Sequence, residues 1–189
     1  LQVVARSGDA VAVESPCYFQ ILQLIESLGL LAVEVRTDPD TGIDLGALTR
    51  ALDRVDVKAV ITVPNFHNPL GSLMPEANKR ALVELLGSRG IPLIEDDVYG
   101  DLHFGEQRPW VAKAFDDTGN VILCSSFSKT LAPGLRVGWI AAREGREEML
   151  SRKHNSSIAN ASLTQMAVAE FLASGGYDRH LRQLRRALK

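Results

Sequence analysis

The clearest predicted strand of the chain is the β-branched run Ala59-Val60-Ile61-Thr62-Val63. It is followed directly by the polar turn Pro64-Asn65-Phe66-His67-Asn68-Pro69-Leu70-Gly71. Further short apolar runs lie at residues 11–13, 32–35, 91–94, 121–123 and 135–141. Stretches with the apolar spacing of helices lie between several of these runs, and the same spacing continues from Glu144 to the end. This spacing predicts a helix from Phe19 that stops at Gly29, a helix capped by Asp44, and a helix after Pro75 that has Ala81, Leu82, Leu85 and Leu86 on one face. Apolar strands that alternate with helices predict an α/β fold, a mostly parallel sheet flanked by helices on both faces.

The composition limits the class of protein. The 189 residues are 46% hydrophobic and 23% charged, which excludes intrinsic disorder as the main state. The formal net charge of −2 argues against nucleic-acid binding by this segment through a dominant positive field. No apolar run approaches the roughly 18 residues of a membrane span, and two cysteines are too few for a disulfide framework. We therefore expect a cytoplasmic protein with no membrane partner.

Polar side chains follow three of the predicted strands. Asn68 lies in the turn after residue 63, Asp96 and Tyr99 follow residue 94, and the segment Ser126 to Lys129 follows residue 123. Taken singly, these residues are ordinary turn residues, helix caps or surface lysines. Parallel sheets bind ligands beyond the carboxyl ends of their strands, so we expect the three segments to contribute to one site.

The residue types at these positions suit pyridoxal phosphate. A lysine can form a Schiff base with the aldehyde of this cofactor. A carboxylate at a neighbouring strand end can keep the pyridine nitrogen protonated, which makes the ring an electron sink. An amide and a phenol can hydrogen-bond the ring's 3′ oxygen, and serine hydroxyls with an arginine can bind the phosphate.

Three motifs carry a resemblance to a known family. They are Asn68-Pro69-Leu70-Gly71, Asp96-Asp97-Val98-Tyr99, and Ser126-Phe127-Ser128-Lys129 followed by Gly134-Leu135-Arg136-Val137-Gly138. In order and in type they resemble the Asn-Pro-x-Gly loop, the Asp-x-x-Tyr segment and the lysine signature of class I/II aminotransferases of fold type I. The resemblance covers essentially the whole chain and implies the large domain of a pyridoxal-phosphate-dependent transferase.

The resemblance also implies roles for individual residues. Lys129 is the Schiff-base lysine and Asp96 the partner of the pyridinium nitrogen, and these two are the catalytic candidates. The other cofactor contacts are Asn68 and Tyr99 at the 3′ oxygen, Ser126 and Arg136 at the phosphate, Ser128 as a weaker phosphate candidate, and Tyr18 stacked on the ring. Tyr18 has an equal alternative as a half-buried aromatic residue at a helix start. We interpret Asp97 as a helix or loop cap and His67 as a loop residue that supports the site.

A rival chemistry fails on its missing motifs. Ser126-x-x-Lys129 also satisfies the Ser-x-x-Lys signature of penicillin-recognising enzymes, which requires Ser-Asp-Asn and Lys-Thr-Gly downstream. Neither motif follows, since Leu131 comes after Lys129-Thr130. The chain also has no Walker loop, no zinc-ligand spacing and no Gly-x-Gly-x-x-Gly, so no metal site is expected.

The kind of protein is open between two main hypotheses. The stretches Glu95 to Tyr99, Ser125 to Lys129 and Gly176 to Arg186 most resemble the aminotransferase-like half of MocR-type regulators of the GntR superfamily. This resemblance implies a domain that senses an amine or amino acid, in a parent protein that binds DNA through a domain outside this chain. The alternative is a stand-alone aminotransferase that moves an amino group between an amino acid and a 2-oxo acid. A cofactor-free structural domain is a third possibility.

The resemblance further implies that residues 1–189 are one pyridoxal-phosphate-binding large domain. We expect an N-terminal segment and a smaller C-terminal domain outside these residues, and a homodimer. The final helix carries a basic stripe opposite an apolar one, at Arg182, Arg185, Arg186 and Lys189. We interpret this stripe as the solvated face of an amphipathic helix rather than a DNA contact.

Overall fold

A seven-stranded sheet forms the centre of the protein in the computed structural model, which describes residues 1–189. The strands lie in the order β3-β2-β1-β4-β5-β6-β7. Their bounds are β1 Ala10–Ser15, β2 Leu31–Asp38, β3 Gly42–Ile43, β4 Val57–Thr62, β5 Leu93–Asp96, β6 Val121–Ser126 and β7 Gly138–Ala141. Only the pairs β2–β3 and β6–β7 are antiparallel, while the other four pairs are parallel. The predicted mostly parallel sheet is confirmed.

Six helices complete the fold. They are α1 Phe19–Ser27, α2 Leu45–Arg54, α3 Glu76–Ser88, α4 Arg146–Ser157, α5 Ser162–Ala173 and α6 Gly176–Leu188. Asp44 caps α2, since its carboxylate accepts a hydrogen bond from the Ala47 backbone N–H at 2.8 Å. None of these helices is both long enough and apolar enough to cross a membrane.

Apolar side chains fill both faces of the sheet. Along β1, Ala12 belongs to a cluster with α2 and α3, whereas Val11 and Val13 belong to a second cluster with Ile25 of α1. This division follows from the geometry of a strand, because successive side chains point to opposite faces. The sheet is therefore covered on both sides, as the apolar strands predict.

The chain order creates a crevice at the carboxyl edge of the sheet. From β1 the chain runs to β2 on one side and later crosses to β4 on the other, so the direction of winding reverses between β1 and β4. Parallel sheets of this kind bind ligands outside the strand ends near such a reversal. The segments that follow β4, β5 and β6 all lie at this edge.

The last strand is shorter than predicted. Residues 135–141 were expected to be extended, but β7 begins only at Gly138. A 3₁₀ turn occupies Pro133–Leu135, and Arg136 adopts a left-handed conformation with φ of 51°. The proline fixes the first backbone angle of this turn, which ends the strand pattern and directs the chain back toward β6.

Candidate functional site

Asp96 and Tyr99 lie at the exit of β5. Asp96 is the last residue of the strand, and its Oδ1 accepts a hydrogen bond from the Val98 backbone N–H at 3.3 Å. Burial raises the pKa of Asp96 to about 6, although the Val98 N–H and the charge of Lys129 act in the opposite direction. Asp96 is therefore a largely buried carboxylate whose single hydrogen-bond donor is a backbone group.

Lys129 and Asn68 approach Tyr99 from the two neighbouring strand exits. Lys129 is exposed, and its Nζ lies 5.8 Å from the centre of the Tyr99 ring. Asn68 Nδ2 donates to the Tyr99 hydroxyl at 3.5 Å. The structure thus brings together Lys129, Tyr99, Asn68 and Asp96, four of the residues that the motifs single out.

The two serines and the arginine form a second group after β6. The Ser128 backbone N–H donates to Ser126 Oγ at 3.3 Å. Arg136 Nη1 donates to Ser128 Oγ at 3.5 Å and to the Pro133 carbonyl at 3.4 Å. Two hydroxyls and a guanidinium therefore lie side by side, an arrangement with the donors that a phosphate requires.

Tyr18 lies at the exit of β1, at the start of α1. Its hydroxyl donates to Gln20, and its ring packs edge to face on Phe19 with 5.0 Å between the ring centres. It makes neither a hydrogen bond nor a ring contact with the group around Lys129. Its position is that of the half-buried helix-start aromatic, and ring stacking on a cofactor stays a prediction.

The interpretation of Asp97 as a cap is wrong. The residue is 2% exposed, and its carboxylate accepts a hydrogen bond from Asn65 Nδ2 at 2.8 Å and pairs with the guanidinium of Arg108. Adjacent residues of an extended chain point to opposite sides, which places Asp97 away from Asp96 and in the interior. Asp97 is thus part of the support beneath the site.

His67 supports the turn that carries Asn68, as expected. It is buried, and its Nδ1 accepts a hydrogen bond from the Leu70 backbone N–H at 3.4 Å. Its Nε2 lies 3.2 Å from Oε2 of the buried Glu14, at an angle outside the hydrogen-bond range. Glu14 in turn accepts the Val63 backbone N–H at 2.7 Å, so β1 is joined to the end of β4.

Lys79 is a supporting residue that the motifs did not point to. It is 1% exposed and donates to Asn65 Oδ1 at 2.6 Å and to the Trp110 carbonyl at 2.7 Å. Burial lowers the pKa of Lys79. Its position three residues before Leu82 and seven before Leu86 was a signal for burial, because residues at these spacings share one helix face.

Arg185 corrects the interpretation of the basic stripe. Arg182, Arg186 and Lys189 are exposed, but Arg185 is half-buried and its Nε donates to the Asp101 carbonyl at 2.7 Å. Leu181 is buried one turn earlier on the same helix face, which directs Arg185 toward the body of the protein. The stripe is solvated at three of its four positions.

Comparisons with known proteins agree with this architecture. The sequence matches the profile of the family "Aminotransferase class I and II" over residues 1–189. It is 46% identical to the uncharacterized HTH-type transcriptional regulator YjiR of Escherichia coli (strain K12), in an alignment covering 98% of this chain and 39% of the regulator. The regulator YdcR of the same organism is 45% identical, with 100% and 40% covered. The chain thus spans about two-fifths of the length of these regulators.

Two solved aminotransferases share the fold. The α-aminoadipate aminotransferase LysN of Thermus thermophilus, complexed with N-(5′-phosphopyridoxyl)-L-leucine, is 32% identical with a TM-score of 0.90, covering 98% of this chain and 48% of LysN. The Pyrococcus horikoshii kynurenine aminotransferase, in complex with PMP, is 30% identical with a TM-score of 0.92, covering 98% and 47%. The chain therefore belongs to the class I and II aminotransferase family, as a fold type I aminotransferase-like domain with HTH-type transcriptional regulators among its relatives.

Proposed function

We propose that this domain binds pyridoxal 5′-phosphate through Lys129 and is the effector-sensing half of a MocR-type regulator. The observation that carries the proposal is the meeting of Lys129, Tyr99, Asn68 and Asp96 from three strand exits. The similarity to two HTH-type regulators supports the regulatory role. We further propose that the longer protein is a cytoplasmic homodimer, that it binds DNA through a domain outside residues 1–189, and that it senses an amine or amino acid.

The residues present fit the proposed cofactor. Asp96 is a largely buried carboxylate with one backbone donor and a pKa raised to about 6 by burial, and a protonated ring nitrogen would offset the cost of burying its charge. Ser126, Ser128 and Arg136 supply hydroxyl and guanidinium donors for a dianionic phosphate. The donor set therefore matches the two ends of the cofactor.

When bound, pyridoxal phosphate supplies an electron sink for a carbanion next to an amino nitrogen. The residues of the chain would bind and orient the cofactor and move protons. Lys129 Nζ would bond the cofactor aldehyde with loss of water, and the same nitrogen, when free, lies beside Tyr99 as a base that could accept and return a proton. Asp96 would hold the ring nitrogen protonated, while Tyr99, hydrogen-bonded to Asn68, would orient the ring oxygen.

A stand-alone aminotransferase is the second candidate. The 32% identity and the TM-score of 0.90 to an α-aminoadipate aminotransferase support it, and the residue types around Lys129 suit a catalytic site as well as a sensory one. Turnover and DNA response separate the two functions, since an enzyme converts its substrates without DNA. In a regulator, binding of a ligand at one site changes the affinity for a second ligand at another site, typically by about 5- to 150-fold.

The test uses the full-length protein loaded with pyridoxal phosphate. Its affinity for the DNA upstream of its own gene is measured with and without each amino acid, together with transamination rates. For a regulator we expect one amino acid to change the DNA affinity at least about fivefold, and Lys129→Ala to abolish that change. Lys153→Ala, an exposed lysine of α4, should respond like the wild type. Steady transamination together with a DNA affinity that no amino acid changes would contradict the regulatory role.

A further inference from the structure

Helix α6 contacts the β6 exit on both sides of Lys129, although no residue of this helix belongs to the proposed cofactor site. The Nε2 of His180 lies 2.8 Å from the Thr130 carbonyl oxygen. The ring of Tyr177 packs edge to face on Phe127, with 5.6 Å between ring centres and an interplanar angle of 88°. Phe127 and Thr130 bracket Lys129, so α6 fixes the backbone from which the Lys129 side chain extends.

The same helix also contacts the segment that carries Tyr99. The hydroxyl of Tyr177 donates to Asp101 Oδ2 at 3.0 Å, and Arg185 Nε donates to the Asp101 carbonyl at 2.7 Å. Asp101 lies two residues beyond Tyr99. One face of α6 is therefore bonded to both segments that meet at the Lys129 amine.

These contacts matter because no hydrogen bond joins the residues around Lys129, Phe127 to Thr130, directly to the stretch from Tyr99 to Asp101. The β5–β6 ladder ends at Asp96 and Cys124, and the last links across it are Asp97 N–H to the Cys124 carbonyl, and Ser125 Oγ to the Asp97 carbonyl, both at 2.9 Å. Beyond them, the position of Lys129 relative to Tyr99 depends on elements that hold both segments. Helix α6 is such an element.

We propose that Tyr177 and His180 are positioning residues for Lys129. This inference rests on the proposed function, in which Lys129 bonds the cofactor aldehyde. Neither residue contacts the lysine amine; His180 acts through the Thr130 carbonyl, and Tyr177 acts through Phe127 and Asp101. Reactive groups must be held closely to their productive geometry, and supporting hydrogen bonds supply that restraint.

Substitution of His180 tests the proposal in the full-length protein. His180→Leu removes the donor to Thr130, whereas His180→Gln keeps an N–H donor at a similar reach. Two quantities are measured. The first is the affinity for pyridoxal phosphate, determined from the visible absorbance band of the bound cofactor. The second is the pH at the midpoint of the titration of that band. We expect His180→Leu to bind about tenfold more weakly and to shift the midpoint, and His180→Gln to restore both. Gln183→Ala, exposed on the same helix, is the control and should match the wild type.

Tyr177→Phe gives an independent arm that applies even if His180→Leu does not fold. It keeps the ring that packs on Phe127 and removes only the hydroxyl bonded to Asp101. We expect about fivefold weaker cofactor binding together with a shifted midpoint. A lowered melting temperature with wild-type affinity and midpoint would show a structural role only and would contradict the proposal.

The outcomes also separate this inference from the proposed function. If the wild-type protein shows no visible absorbance band with pyridoxal phosphate, the proposed function is contradicted, and the positioning role is contradicted as well. A wild-type band that His180→Leu and Tyr177→Phe leave unchanged would overturn the positioning role alone.

Discussion

Asp96 shows at the scale of one residue how the proposed function opposes stability. The carboxylate is largely removed from water and its only hydrogen-bond donor is the Val98 backbone N–H. Burial raises its pKa to about 6 from 3.8. The folded protein therefore disfavours the ionised form, which is the form that a cationic ring nitrogen would stabilise.

We predict that Asp96→Asn stabilises the cofactor-free protein at neutral and higher pH. A raised pKa in the folded state means that the wild type loses stability, relative to the Asn variant, as the pH rises from about 4 to about 6. Above that window the variant should be more stable by up to about 3 kcal/mol, and below pH about 4 the advantage should vanish. Urea denaturation at both ends of the window measures the difference.

Asp117→Asn provides the control for this prediction, because Asp117 is an exposed loop residue whose carboxylate makes no hydrogen bond or ion pair. Its effect on the free energy of unfolding should be small and almost independent of pH. An Asp96→Asn variant whose stability difference from the wild type is equal at low and high pH would contradict the buried-carboxylate account.

The adjacent residues Asp96 and Asp97 show what the sequence predicts at this scale and what it does not. The motifs predicted that Asp96, Tyr99, Asn68 and Lys129 meet, because each follows an apolar strand at the same edge of a parallel sheet. They did not predict that Asp97 is buried and paired with Arg108. Which of two neighbouring aspartates faces the interior depends on where the strand ends, and a change of one residue reverses it.

At the scale of elements, Asn65 joins α3 to the two central strand exits. Its Oδ1 accepts from the buried Lys79 of α3, and its Nδ2 donates to the buried Asp97 after β5. Asn65 itself follows β4, three residues before Asn68. One amide thus satisfies an ammonium and a carboxylate at once, which holds the Asn68 turn in place beside the exit of β5.

We predict that Asn65→Leu lowers the free energy of unfolding by about 3 kcal/mol, since hydrogen bonds to charged groups contribute about 1.5–3 kcal/mol each. The leucine leaves Lys79 and Asp97 each without one buried partner. Chemical denaturation measures the loss. Asn155→Leu is the matched control, because Asn155 is exposed near the end of α4 and its replacement should change stability little. Equal stability of the two variants would refute the role of this link.

Periodicity predicted the elements well and their burial less well. The Asp44 cap of α2 and the end of α1 before Gly29 lie where the sequence placed them. On α3, the predicted shared face of Ala81, Leu82, Leu85 and Leu86 was partly wrong, since the buried residues are Lys79, Leu82, Val83 and Leu86. A lysine was not counted as a core residue, and its partners at Asn65 and Trp110 lie too far along the chain to be predicted.

At the scale of the whole molecule, contacts between distant segments assemble the site. His180 reaches Thr130 across 50 residues, and Tyr177 reaches Asp101 across 76. The alternation of strands and helices predicted the parallel sheet, but it contains no information on which side of β1 each later strand is added. The strand order, and hence the neighbours of Lys129, follow from packing of both faces of the sheet.

The central claim is that Lys129 holds pyridoxal phosphate covalently, and reduction of the loaded full-length protein with borohydride tests it most directly. Borohydride reduces the imine between the lysine and the cofactor to a stable secondary amine, so peptide mass spectrometry locates the modified lysine. We expect the phosphopyridoxyl group on the peptide that contains Lys129, its absence in Lys129→Ala, and its retention in Lys153→Ala. A modification found on another lysine, or one that persists in Lys129→Ala, would contradict the account.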